Sequence, residues 1–276
     1  MIIMKYLYFF IFFTSIFIHA QTTRLVYRVS SGVGSERVDE IYYLDVDTHK
    51  KTGIYYNRNY FVNDSIFKKT GEFGFSDFKM TDFVKVNFAN SDDAEEYKML
   101  SVDIFKIHIK KSKDWKIEKE TRLEGNRTLQ KATIDYGGRQ WEAWWDKDFP
   151  LYVGPYLFSG LPGLIVSLKD TQSHFHFELI GVQNFPATQT IDFLTTLETN
   201  SVTISIDKFK KMLLQNYNDP FGGITKGLIN RNQPIRLEDG TLLTKDNLKV
   251  SEEMIKNRLR KQNPIHLDFK AAYPDK

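Results

Sequence analysis

An alternation of apolar and polar residues with a period of two recurs through the first two thirds of the chain. A half-buried β-strand is the regular structure that this period selects. Val38, Tyr42, Leu44 and Val46 share one face of a strand expected at 38–46. Phe78, Met80, Val84, Val86 and Phe88 do so at 77–88, with Asp82 as the exception. Phe105, Ile107 and Ile109 alternate with Lys106, His108 and Lys110, as Trp115 and Ile117 do with Lys116 and Glu118. One packed face and one wet face is the pattern of antiparallel sheets. Gly125-Asn126 and Gly137-Gly138 separate successive runs and predict tight hairpins. Long twisted meanders curl. The expected fold is therefore mainly β: a curled antiparallel sheet, either a half-barrel or a sandwich-like meander.

Helices are expected late. Phe209, Met212 and Leu213 fall at helical spacing within Asp207–Tyr217, with Ser205 or Asp207 as cap. A second short C-terminal helix is expected over Glu252–Lys261, capped by Ser251. It carries Glu252 and Glu253 in its first turn and Arg258, Arg260 and Lys261 in its last. Between them, 221–248 holds four glycines and one proline and reads as an irregular excursion.

Residues 1–20 have the layout of a secretory signal peptide. Lys5 precedes an apolar run from Tyr6 to Ile18, which ends at Ile18-His19-Ala20 before Gln21. The run is short for a membrane span, which needs about 20 apolar residues; a retained anchor is the competing reading. Export would leave one β-rich domain over 21–276, soluble in the periplasm or associated with the outer membrane. The chain has no cysteine, which excludes disulfides, thiol catalysis, thiolate metal sites and lipidation at a cysteine. Its formal charge of +3 falls to +2 without Lys5, so charge gives no case for nucleic acid or for an acidic membrane surface.

From Phe149 to Leu168 no residue is charged. Phe149–Gly163 comprises eight apolar residues, six Gly or Pro, and one Ser: core composition on loop punctuation. A lipid-exposed helix would be broken by Pro150, Pro155 and Pro162. Two readings remain. The segment crosses the open side of the curled sheet and plugs its core, with Pro162-Gly163 in a type II turn. Alternatively Tyr156-Leu157-Phe158 forms an exposed apolar patch for a ligand or partner.

Gly160, Leu161, Pro162, Gly163, Leu164 and Ile165 spell the motif of the GLPGLI family, exported proteins of Bacteroidetes-type bacteria, and the surroundings resemble that family too. Arg139, Trp141, Ala143, Trp144 and Trp145 are similar to its "GR…AW" strand, Phe149-Pro150-Leu151 to the approach to the motif, and Gly154-Pro155-Tyr156 to its "GP-aromatic" step. Asn263-Pro264-Ile265-His266-Leu267 resembles its terminal "NPIEL" box, with His266 where Glu is usual. Leu129 stands near the position at which many members carry a cysteine, which removes a thiol role for that step. The resemblance runs from about Trp115 to the end of the chain. It implies an exported protein and no particular activity.

Little here points to catalysis. His174, His176 and Glu178 lie on one strand face, and the two histidines could share a metal, since alternate residues on a strand are about 7 Å apart; side chains wetted on a sheet face are the competing reading. Ser159 lacks a G-x-S-x-G setting and a nearby base. Glu118 and Glu120 sit among Lys116 and Arg122 as charge-paired strand residues. No phosphate-binding glycine loop or other cofactor pattern is present. Lys106, Lys110, Lys111 and Lys113 are interleaved with acids and suit a solvated face better than nucleic acid. Asp64-Ser65-Ile66 matches a three-residue O-glycosylation pattern at Ser65. The reading is an exported, non-catalytic protein that binds a lipid-like ligand or an outer-membrane protein through Tyr156, Leu157, Phe158 and Trp144. The alternative is a metal-assisted envelope enzyme using His174 and His176.

Overall fold

The computed structural model describes residues 21–71, 81–89, 92–100, 103–222 and 242–274. Twelve strands form one sheet. They are β1 (Thr22–Ser31), β2 (Val38–Asp47), β3 (Thr52–Asn57), β4 (Phe83–Asn87), β5 (Asp93–Leu100), β6 (Asp103–Lys110), β7 (Lys116–Glu124), β8 (Arg127–Tyr136), β9 (Arg139–Asp146), β10 (Leu164–Asp170), β11 (Phe175–Phe185) and β12 (Val202–Thr203). Their order is β12-β6-β5-β4-β3-β2-β1-β11-β10-β9-β8-β7. Every pairing is antiparallel except the short β12–β6 contact.

The sheet is curled and stays open. Its end strands β12 and β7 do not pair with each other. Residues from both halves nevertheless enter one core: Ile107 and Ile109 of β6 share it with Ile134 of β8 and Trp141 of β9. The Tyr136 hydroxyl donates to the Lys110 carbonyl, tying the two halves together. This is the half-barrel form of the expected meander. The glycines at its turns serve as the alternation requires: Gly137 and Gly138 both adopt positive φ (+61° and +75°), the geometry of a tight hairpin.

Four helices occur among the described residues: α1 (Arg58–Thr70), α2 (Asp192–Thr199), α3 (Ile206–Asn218) and α4 (Leu248–Lys261). The two late helices are where the sequence suggests, and Ser205 caps α3 by accepting from the Lys208 N–H at 3.2 Å. Helix α4 starts earlier than expected, so Ser251 is a buried interior residue instead of its cap. The expectation that helices come only late is corrected by α1, between β3 and β4. Its ends are locally encoded: Asn57 accepts from the Asn59 N–H, and Gly71 at φ +73° terminates it.

Strand β4 begins at Phe83; Phe78 and Met80, and most of the expected excursion at 221–248, lie outside the described residues. Helices α1 and α2 cover the outer face of the first half of the sheet, where Tyr43, Tyr56, Tyr60, Phe83, Tyr97 and Leu194 form a second core. On that face Arg24, 2% exposed, makes paired hydrogen bonds with Asp45 at 2.6 and 2.8 Å beneath the rings of Tyr43 and Phe61. No described helix is long and apolar enough to cross a membrane.

Candidate functional site

Beyond β9 the chain turns into the concave face. Val153, Tyr156, Leu157, Phe158 and Leu161 are each 5% exposed or less and belong to the main core. The ring of Phe158 meets those of Trp141 at 4.7 Å and Tyr136 at 5.3 Å. A buried loop must still satisfy its peptide groups, and this one does so locally and through Ser112. Phe158 N–H donates to the Pro155 carbonyl, Ile165 N–H to that of Val153, and Ser112 N–H to that of Leu157. Ser159 N–H donates to Ser112 Oγ, and the Trp115 indole to the Ser159 carbonyl at 2.7 Å. The exposed patch considered for Tyr156-Leu157-Phe158 is therefore corrected: this arm is interior, and of the segment Pro150, Tyr152, Gly160 and Pro162 are exposed while Phe149, Leu151 and Ser167 are half-buried.

The glycines of the Gly160–Ile165 motif divide the work differently from the expected type II turn. Gly160, not Gly163, has positive φ (+93°). Gly163 is required by close approach, since a Cβ there would lie 2.2 Å from the Asp146 carbonyl oxygen and 2.8 Å from the Trp145 ring. Gly154 is similarly confined, by Ile165 and the Phe158 carbonyl. The motif thus lets β10 begin flush against β9.

The charge-free segment is anchored by charges supplied from elsewhere. The Tyr156 hydroxyl donates to Glu96 Oε2 at 2.7 Å, while Lys98 Nζ lies 2.6 Å from Glu96 Oε1 and 2.7 Å from Asp82 Oδ2. Glu96 is 1% exposed and Lys98 8%. Burial raises the Glu96 pKa and, with Glu96 beside it, lifts that of Tyr156 well above the usual phenol range. Burial opposes the charge on Lys98, yet Asp82 and Glu96 together hold its pKa above the usual lysine value. Tyr156 itself adopts φ +54°, uncommon for a bulky residue. Neither Glu96 nor Lys98 was among the sequence candidates. A signal existed: both fall on the same phase as Ala94, facing Ile107 and Phe105, where the strand pattern calls for apolar residues.

Trp144 does not join the other three candidates. It lies on the outer face with Leu129 and Val166, opposite to Trp141 and Trp145. No described helix covers it. Instead the Arg122 guanidinium stacks on the indole at 4.4 Å, and Lys131 pairs with Glu120 and Glu142 beside it.

His174 and His176 are half-buried and engaged separately. His176 Nε2 lies 3.2 Å from Ser167 Oγ, and burial depresses its pKa. His174 Nδ1 lies 3.6 Å from Asp170, whose carboxylate also accepts from Arg139 at 3.1 Å and from the Phe175 N–H at 2.8 Å. No group of three His, Asp or Glu among the described residues is disposed to hold a metal ion. Ser65 sits in α1 and donates to the Phe61 carbonyl, and its neighbour Asp64 is buried, pairing with Lys68 and accepting from the Phe193 N–H of α2.

Arg139 brings together two boxes that the sequence separates widely. Its guanidinium donates to Asp170, to the Asn263 side chain and to the carbonyls of Pro264 and Ile265. Gly137 and Gly138 permit the strap Asn263–Leu267 to lie on the hairpin: a Cβ on either would crowd His266 or Leu267 at 3.0–3.1 Å. The strap continues into Phe269 and Ala271, which close the open side of the half-barrel together with Phe209 and Leu213 of α3. A surface cavity of about 360 Å³ lies beside it, lined among others by His108, Lys110, Asp135, Tyr136 and His266.

No known protein family and no curated protein sequence matches this chain. Solved structures give partial likenesses. PNGF-II is similar at 17% identity and a TM-score of 0.48, over 70% of this chain and 33% of that one, so this chain spans about a third of its length. An uncharacterized conserved protein from Thermus thermophilus is similar at 6% identity and a TM-score of 0.37, over 68% of this chain and 92% of that one. A LolA superfamily protein from Nitrosomonas europaea is similar at 6% identity and a TM-score of 0.29, over 63% and 90%.

Proposed function

We propose that this is an exported, non-catalytic binding protein of the cell envelope, of the GLPGLI type, that takes an apolar, lipid-like ligand on the concave face of its sheet. One observation carries the reading. The apolar side of the half-barrel is closed by a helix, α3, and an irregular C-terminal strap instead of by further strands. A curved sheet with a removable cover is a natural apolar pocket. In this reading Tyr156, Leu157 and Phe158 are the floor that a lifted strap uncovers, and Phe269, packed on Phe209, His266 and Lys98, belongs to the cover. Trp144, on the other face, takes no part in that pocket. An outer-membrane protein is the competing partner, and the outer face around Trp144 is where it would dock.

The test is organic extraction of protein purified from its native envelope, followed by mass spectrometry, with a Phe269→Ala variant in parallel. The reading expects a co-purifying lipid that the variant loses or exchanges faster. Empty protein that also fails to take up an apolar fluorescent probe would overturn it. Stoichiometric zinc lost on changing His174 and His176 would instead favour the metal-assisted enzyme.

A further inference from the structure

The surface cavity beside the C-terminal strap is walled by β6, the β8–β9 hairpin, the start of α3 and the strap itself. Ile206 and the ring of Tyr136 give it an apolar wall, since the Tyr136 hydroxyl is committed to the Lys110 carbonyl. Its charged lining is Lys110, Asp135 and Asp268, all exposed. Among the described residues Lys110 and Asp135 make no ion pair, and Asp268 approaches only His266. Other exposed charges of this sheet do pair, as in Arg28–Glu178, Arg122–Glu124 and Lys113–Asp92. His266 is the buried member of the lining, at 7% exposure. Its Nδ1 makes no hydrogen bond, and Asp268 Oδ2 stands 3.7 Å away, too far for one. A buried polar atom without a partner calls for an explanation. The gap provides it: with the imidazole proton on Nε2, one ligand nitrogen about 2.9 Å from each atom bridges the two acceptors.

We propose that this cavity is a binding site for a small zwitterion, a free α-amino acid with an apolar side chain. The ligand ammonium bridges Asp268 and His266 Nδ1 within the field of Asp135. Its carboxylate meets Lys110, and its side chain lies against Ile206 and Tyr136. Two carboxylates against one ammonium leave the lining with an excess of negative charge, so the cationic end of the ligand is the stronger anchor. A bare metal ion does not suit the site, because no three His, Asp or Glu among the described residues are disposed to hold one. The volume of about 360 Å³ lies at the small end of ligand pockets, as an amino acid requires. This inference concerns a different region from the apolar ligand and does not depend on export.

The test is calorimetric titration of the purified full chain with three matched probes: L-leucine, isoamylamine, which lacks the carboxylate, and isocaproate, which lacks the amine. L-leucine should bind at one site per chain, isoamylamine about tenfold more weakly, and isocaproate not at all. Asp135→Asn and Lys110→Gln are changes at exposed positions, to be checked for wild-type melting. Each should weaken L-leucine about tenfold, while Lys110→Gln should not weaken isoamylamine. Failure of L-leucine and of the other apolar amino acids to bind at millimolar concentration would overturn the proposal. Binding that both variants leave unchanged would do the same, by placing the ligand elsewhere. Isoamylamine or isocaproate binding as tightly as L-leucine would overturn the zwitterion.

Discussion

Tyr156 and Trp144 are both buried aromatics near the Gly160–Ile165 motif, and they are buried in different ways. Tyr156 is inside the curl, surrounded by the main core, strained at φ +54° and tied to an internal carboxylate. Trp144 is on the outer face, where the cover is a guanidinium and a grid of solvent-accessible, half-buried ion pairs. The first site depends on packing that has no substitute in water. The second depends on long side chains that solvent can replace. The outer face of the other half of the sheet takes the first solution, with α1 and α2 laid over its tyrosines.

The comparison predicts a ranking of stability losses. Gly163→Ala should be the most damaging, at about 3 kcal/mol or more, because β9 backbone occupies the place of the new methyl; a denaturant midpoint close to wild type would show that β10 does not abut β9. Phe158→Ala should cost about 3–5 kcal/mol in urea unfolding, as a filled interior aromatic site emptied. Glu96→Ala should cost a similar amount, about 3–5 kcal/mol, since it leaves Lys98 buried with half its partners and Tyr156 with none. On the outer face, Arg122→Ala should cost no more than about 1 kcal/mol, the value of an exposed cation–π contact. Should Arg122→Ala rival Glu96→Ala, the contrast between the faces would be lost.

Much of this was legible in the sequence, and the reasons for the rest are physical. Strands with one wet face announce themselves, so β2 and β6 fall where the alternation puts them, and β8 and β9 where the Gly125-Asn126 and Gly137-Gly138 turns divide the chain. Helix α1 does not, because Asn63 and Asp64 are on its buried side and its apolar stripe is interrupted. The core composition of Phe149–Gly163 was readable, but composition alone could not decide between a plug and a patch. That depended on partners distant in sequence, Ser112 and Glu96, which meet the segment through the curl. Gly160 and Gly163 were recognisable as special while their roles were exchanged, since close approach of a neighbouring strand leaves no local trace. Arg139 and Asn263–Leu267 were each singled out, and only the fold joins them.

The strap supplies the smallest effect and a pH dependence. His266 is 7% exposed, packed on the rings of Tyr136 and Phe269, and burial lowers its pKa, with Asp268 opposing and Lys98 assisting the shift. A histidine whose folded pKa is depressed stabilises fully above its unfolded value of about 6.5 and loses that contribution as pH falls below it. Glu96, with a raised folded pKa, acts in the opposite direction on acidification. The informative quantity is therefore the difference between wild type and His266→Gln, followed by melting temperature from pH 7.5 to pH 5. Wild type should lose more than the variant. Equal slopes would remove His266 from the account.

The central claim is that the charge-free segment is the interior of this fold. Native-state hydrogen exchange of peptides spanning Val153–Leu168 tests it most directly, through the amides of Phe158, Ser159 and Ile165 and their identified acceptors. The account predicts protection as slow as that of the β1–β11 pair, opening only with global unfolding. Exchange on the timescale of exposed turns such as Gly125-Asn126, with the rest of the sheet protected, would contradict it.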